Sequence, residues 1–235
     1  MDNNFTLNPN RTFESHLKSV FLRMAIAMGI TAIVSYAIFL NITHGGFLAG
    51  IVLNPIFMIV LVIAELGVTI ACRANLFNTS SNLCQTLFYL YAFLNGLTFG
   101  LLPLMYDFGT IALAFAYTTA FFVCCAVIGF TTKMDLTRWG TYLFAGLITL
   151  LIGSVLSIFI PFLRNSLILS FGGVIIFMIY TAYDVQKIKA NFYNIDPSDA
   201  QLLDNFAAYG AFELYLDFIN LFLDILRILN RRRND

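Results

Sequence analysis

Seven apolar runs alternate with short polar stretches along the chain, at residues 20–40, 50–71, 83–105, 109–130, 141–161, 166–187 and 206–229. Each approaches the ~20 residues that an α-helix needs to cross about 30 Å of hydrocarbon. The connections, the longest at 187–204, are too short to hold a soluble domain. The pattern predicts an all-α integral membrane protein: a seven-transmembrane-helix bundle over 20–230, preceded by a polar cytoplasmic N-terminus at 1–19 and followed by a basic tail at 231–235. No fixed-period repeat and no low-complexity segment is visible.

The last run differs from the others. Glu213, Asp217, Asn220, Asp224 and Arg227 step by four, three, four and three, which places them on one face of a helix. The opposite face reads Leu214, Leu216, Leu221, Leu223 and Ile228. A charged side chain at mid-membrane costs roughly 2.5–3.5 kcal/mol on insertion scales. The stripe must therefore face other helices or water, which predicts a central position for this last helix.

Composition narrows the class. Hydrophobic residues make up 60% of the chain and charged residues 11%, against about 25% charged in a soluble domain. Mean hydropathy is +0.83, and a polytopic membrane protein is the class that fits. The formal net charge is zero, so nothing points to nucleic acid. Cys72, Cys84, Cys124 and Cys125 lack metal-ligand spacing and imply no disulfide framework; the adjacent Cys124 and Cys125 read as packing residues. Residues 1–11 lack the features of a signal peptide, so the first span is expected to stay attached.

Lysine and arginine set the orientation. With the N-terminus inside, the inner regions hold Arg11, Lys18, Arg23, Arg73, Lys133, Arg138, Lys187 and Lys189, and the outer loops hold Arg164. Arg231, Arg232 and Arg233 run against this. Either the tail is an exception or the last segment does not cross completely; the expectation is seven crossings, N-terminus in and C-terminus out. Among packing features, Gly96 and Gly100 with Asn95 and Thr98 suit close helix contact. Gly172-Gly173 is expected to loosen the start of the sixth helix, and Pro103 to kink or end the third.

Glu65 and Asp184 add two more intramembrane acids, and three readings compete for the whole set. In the first, each acid bonds a partner such as Arg73, Arg227, Asn95 or Tyr183 and fixes helix register. In the second, Asp184 and Asp217 meet and share one proton, because two like charges in low dielectric do not both ionise easily; carboxylates also suit a hard cation such as calcium. The third is intramembrane proteolysis. Tyr183-Asp184 matches half of an aspartyl protease pattern, but Asp217 lies in Leu-Tyr-Leu-Asp and not in Gly-x-Gly-Asp. His16 and His44 fall outside the spans, and no Ser/His, Cys/His or phosphate-loop constellation is present. No enzyme, no cofactor and no resident metal are expected.

Residues 181–189, Thr-Ala-Tyr-Asp-Val-Gln-Lys-Ile-Lys, resemble the end of the sixth helix in the Bax-inhibitor family of membrane proteins. Residues 214–222, Leu-Tyr-Leu-Asp-Phe-Ile-Asn-Leu-Phe, resemble that family's seventh-helix motif. Residues 91–98 and 129–136 support the match, which extends from about Arg11 onward, and the short loops are similar to the bacterial branch. The resemblance implies a seven-helix bundle with the last helix central and a pH-sensitive calcium leak favoured by acid. It implies a proton-sharing aspartate pair at Asp184 and Asp217, with calcium or another cation as cargo. Glu213, Asn220, Asp224 and Glu65 are the supporting polar residues, and Arg73 is the candidate latch that the family carries on its second helix. The alternative implied by the resemblance is a non-transporting regulator that binds a partner, such as a membrane-bound quality-control protease or another membrane protein. A bacterial inner membrane is the expected location.

Overall fold

A computed structural model describes residues 12–74, 81–160, 167–196 and 199–234. Among them there is no strand. The helices are α1 (Phe13–Thr43), α2 (Phe47–Val52), α3 (Pro55–Ala74), α4 (Ser81–Phe99), α5 (Leu102–Met105), α6 (Phe108–Thr131), α7 (Gly140–Phe159), α8 (Leu167–Asn194) and α9 (Ala200–Asn234), with a 3-10 turn at Leu136–Trp139 before α7.

Local chemistry explains where these boundaries fall and where they depart from the apolar runs. Helix α1 starts at Phe13 rather than residue 20 because Thr12 caps it, its Oγ1 accepting from Ser15 N at 3.3 Å. It ends at a turn in which Gly45 takes φ +66, a conformation that favours glycine. The second apolar run is not one helix. Pro55 lacks an N–H to continue α2, and Asn54 Oδ1 accepts from Ile56 N at 2.9 Å to start α3 afresh. In the third run α4 ends at Phe99, and Pro103 sits in the first turn of the short α5. Asp107 caps α6 by accepting from Thr110 N at 3.1 Å. Much of the expected 187–204 loop is helical, since α8 continues to Asn194.

Among the described residues, six helical segments are long and apolar enough to cross a membrane: Phe13–Thr43, Pro55–Ala74, Leu83–Met105, Phe108–Thr131, Leu136–Ser157 and Leu167–Asn194. Their outward faces are apolar; on α3, Ile56, Ile63 and Ile70 are 71%, 62% and 69% exposed. Seven-residue steps put these isoleucines on one stripe, a surface suited to lipid. Helix α9 is long enough but is not among the six. It is instead the helix with the deepest core: Ala208, Ala211, Leu214, Tyr215 and Leu221 are inaccessible.

The chain forms two compact units, one of residues 1–99 with 188–212 and the other of 100–187 with 213–235, so α8 and α9 are each divided between them. In the first unit α4 packs on both α1 and α3. A Cβ on Gly96 would lie 2.7 Å from Val34 Cβ, so this glycine serves close packing against α1. Nearby, Thr31 Oγ1 donates to Ala92 O at 2.9 Å. Phe88 and Tyr91 hold Phe212 with ring centroids 5.4 and 5.1 Å away. Arg23, expected among the inner surface charges, is largely buried and pairs with Asp204 at 2.5 Å. In the second unit Phe115 and Phe122 each meet Phe218 edge-on at 5.5 Å.

Candidate functional site: a buried carboxyl pair

Asp184 on α8 and Asp217 on α9 are both buried, at 4% and 5% exposure, and their carboxyls are in hydrogen-bonding contact. Each stands on a regular stretch of helix, so the backbone leaves no unpaired N–H to serve it. Among the described residues, no N–H or O–H donates to Asp217 Oδ2, which is buried. Two ionised carboxylates at contact distance in low dielectric repel strongly.

One turn along each helix stands a second pair. Lys187 Nζ lies 2.5 Å from Glu213 Oε1, with the two side chains 31% and 17% exposed. Lys187 follows Asp184 by three residues and Glu213 precedes Asp217 by four, so each helix presents its two polar groups on one face. The ammonium is also close enough to act electrostatically on both aspartates. An ion pair thus borders the carboxyl pair.

The other acids have separate partners. Asp224 is buried, accepts from Arg227 at 3.2 Å, and occupies the space beside Gly173, where a side chain would collide with it. Arg227 itself is exposed. Asn220 Nδ2 bonds its own helix at Leu216 O, 2.8 Å away. Glu65, in the first unit, is half-buried on α3 and accepts from Thr98 at 3.3 Å. Arg73, also in that unit, is exposed in the last turn of α3. Glu65, Glu213 and Asp224 thus each have a separate partner, while Asp184 and Asp217 have each other. Among the described residues there is no cluster of three or more His, Cys, Asp or Glu arranged to hold a metal ion.

A family model described as inhibitor of apoptosis-promoting Bax1 matches residues 13–234. The chain belongs to the Bax-inhibitor family. It is 33% identical over 227 residues to the inner membrane protein YbhL of Escherichia coli K12, covering 97% of this chain and 96% of that one. It is 36% identical over 219 residues to an uncharacterised protein of Borreliella burgdorferi, covering 93% of each. An uncharacterised membrane protein of Streptococcus pyogenes is 32% identical over 214 residues, 90% of each chain.

The structure gives a physical reason for two of the family-like motifs occurring together. Gln186, two residues after Asp184, accepts from Leu136 N at 2.7 Å and donates to Met134 O at 2.7 Å. It thereby holds the turn that follows residues 129–133, and a Cβ on Gly129 would strike the backbone of Ala182. Beyond that turn, the Asp135 carboxyl is held below the ordinary aspartate value, first by the Thr137 hydroxyl and then by the Thr137 N–H and Arg138. Sequence reasoning missed the roles of Lys187 and Gln186. The signal for Lys187 was its one-turn spacing from Asp184; for Gln186 there was none, because its partners lie on another element.

Proposed function

We propose that this membrane protein passes calcium or another small cation down its gradient, with the Asp184–Asp217 pair as its proton sensor. The observation that carries the reading is the contact between two buried carboxyls with no donor to satisfy Asp217 Oδ2. Intramembrane acids of this kind are costly to bury and are a mark of ion and proton pathways. A pair that holds one proton is neutralised by half; loss of that proton leaves two facing charges and drives α8 and α9 apart or draws in a cation. Lys187 is the neighbouring counter-charge, and its bond to Glu213 limits how far it follows the aspartates.

In this reading α9 is the seventh crossing, central and surrounded by the six apolar spans, with the N-terminus on the cytoplasmic side of a bacterial inner membrane. Membership in the family and the likeness to an inner membrane protein support that location. In this reading the transport step needs no enzyme activity, and calcium is cargo rather than cofactor. The test is calcium entry into liposomes holding the purified chain, stepped from about pH 8 to about pH 6. Flux above that of empty vesicles that changes with pH across this step supports the reading. Flux no greater than that of empty vesicles at every pH overturns it and leaves partner binding as the function to pursue.

A further inference from the structure

The first unit holds two thiols outside the set of carboxylates. Cys72, near the end of α3, and Cys84, in the first turn of α4, are 0% and 1% exposed, and their Sγ atoms stand 3.0 Å apart. Both are free. The separation is shorter than an ordinary contact between two sulfurs, and a disulfide needs only about 1 Å of further approach to reach its ~2.05 Å bond. Helices α3 and α4 pack on each other, so the approach needs side-chain rotation rather than movement of the elements. Cys72 lies near the end of the span Pro55–Ala74 and Cys84 near the start of the span Leu83–Met105. Both are therefore near a membrane boundary and not at its midplane, where a water-soluble reagent does not reach.

We propose that Cys72 and Cys84 form a reversible thiol–disulfide site that takes small-molecule disulfides as its oxidant. One cysteine thiolate attacks the reagent's S–S bond and releases one small thiolate, leaving a mixed disulfide. The second cysteine displaces the second small thiolate and closes the internal bond. Two cysteine thiols and one disulfide become one protein disulfide and two small thiols, and an excess of small thiol reverses the exchange. The closed bond pins the last turn of α3, which carries Arg73, to the first turn of α4. Cys124 and Cys125 do not share this geometry, since Cys124 is exposed and Cys125 buried.

The experiment uses the full chain in detergent, as wild type and as C124S/C125S, exposed to glutathione disulfide. The protein is then denatured, its free thiols are labelled with a maleimide, and peptides are mapped by mass spectrometry. The expected result is joint protection of Cys72 and Cys84, a linked peptide pair lighter by two hydrogens, and recovery of both thiols with dithiothreitol. With Cys72→Ser, Cys84 is expected to stop at the mixed disulfide. Full labelling of both cysteines after oxidation, a persistent mixed disulfide beside a free thiol in the unmutated pair, or a link to another chain would overturn the proposal. Mapping of the wild-type protein decides the matter even where a serine variant does not fold.

Discussion

Gly173 on α8 and Asp224 on α9 are fitted to each other: a Cβ built on the glycine would run into the Asp224 carboxylate. The space for a buried acid on one helix is made by a missing side chain on the next. Gly173→Ala must displace that carboxylate or separate the helices, an overpacking expected to cost about 1–3 kcal/mol. Gly172→Ala meets only an ordinary contact with Leu150 at 3.8 Å, and is expected to be neutral or stabilising by up to about 1 kcal/mol through helix propensity. Denaturant unfolding in detergent separates the two, and Gly173→Ala combined with Asp224→Ala should recover part of the loss. Equal effects at both glycines would refute the fit.

Asn in place of either paired aspartate keeps the shape and removes the ability to ionise. Asp184→Asn and Asp217→Asn are each expected to flatten the pH response of cation flux while the protein still folds. Stability should fall by no more than about 1 kcal/mol, because an amide still donates across the pair. A variant whose flux keeps the wild-type pH profile would remove that aspartate from the sensor.

Lys187→Met strands the Glu213 carboxylate and leaves more negative charge beside the aspartates. Breaking a fully buried ion pair costs about 3–5 kcal/mol, and the partial exposure of this one lowers the expectation to about 1–3 kcal/mol. The double variant Lys187→Met with Glu213→Gln should be more stable than the sum of its single changes. Strict additivity in that cycle would show that the 2.5 Å contact carries no coupling.

Gln186→Leu removes the partners of Leu136 N and Met134 O together. The expected loss is about 1–3 kcal/mol, with faster amide exchange over residues 133–137. Gln186→Glu retains the acceptor for Leu136 N and should fall between wild type and Leu. Unchanged exchange in that turn would mean that Gln186 does not hold it.

The Asp135 carboxyl is expected to titrate below the ordinary aspartate value of about 3.9. Its folded pKa is depressed, so the stability it contributes is present above the unfolded pKa and is lost as pH falls through the folded one. Thr137→Ala, which deletes the main cause, should move the carboxyl back up in an NMR titration. No movement would assign the effect to Arg138 instead.

Most of the helices and all of the acidic stripe were legible in the residues. Seven apolar runs of spanning length predict seven crossings, six of which are helical segments long and apolar enough among the described residues, and the four-three-four-three spacing puts Glu213 to Arg227 on one face whatever surrounds them. Some boundaries were legible but easily overlooked, as with Asn54-Pro55, where a capping side chain and a missing N–H act within three residues. What pairs with what was not legible. Glu65 had Arg73 as a candidate partner and meets Thr98 instead, and nothing in the sequence paired Arg23 with Asp204.

The sequence by itself determined the helical class, the membrane setting and the set of residues sharing each helix face, because hydrogen bonding and hydrophobic period in a helix are local. Tertiary structure decided that Asp184 meets Asp217, that Lys187 meets Glu213, that Asp224 rests against Gly173 and that two cysteines face each other. Those contacts depend on the rotation and depth of one helix against another, which are fixed by the packing of many side chains at once.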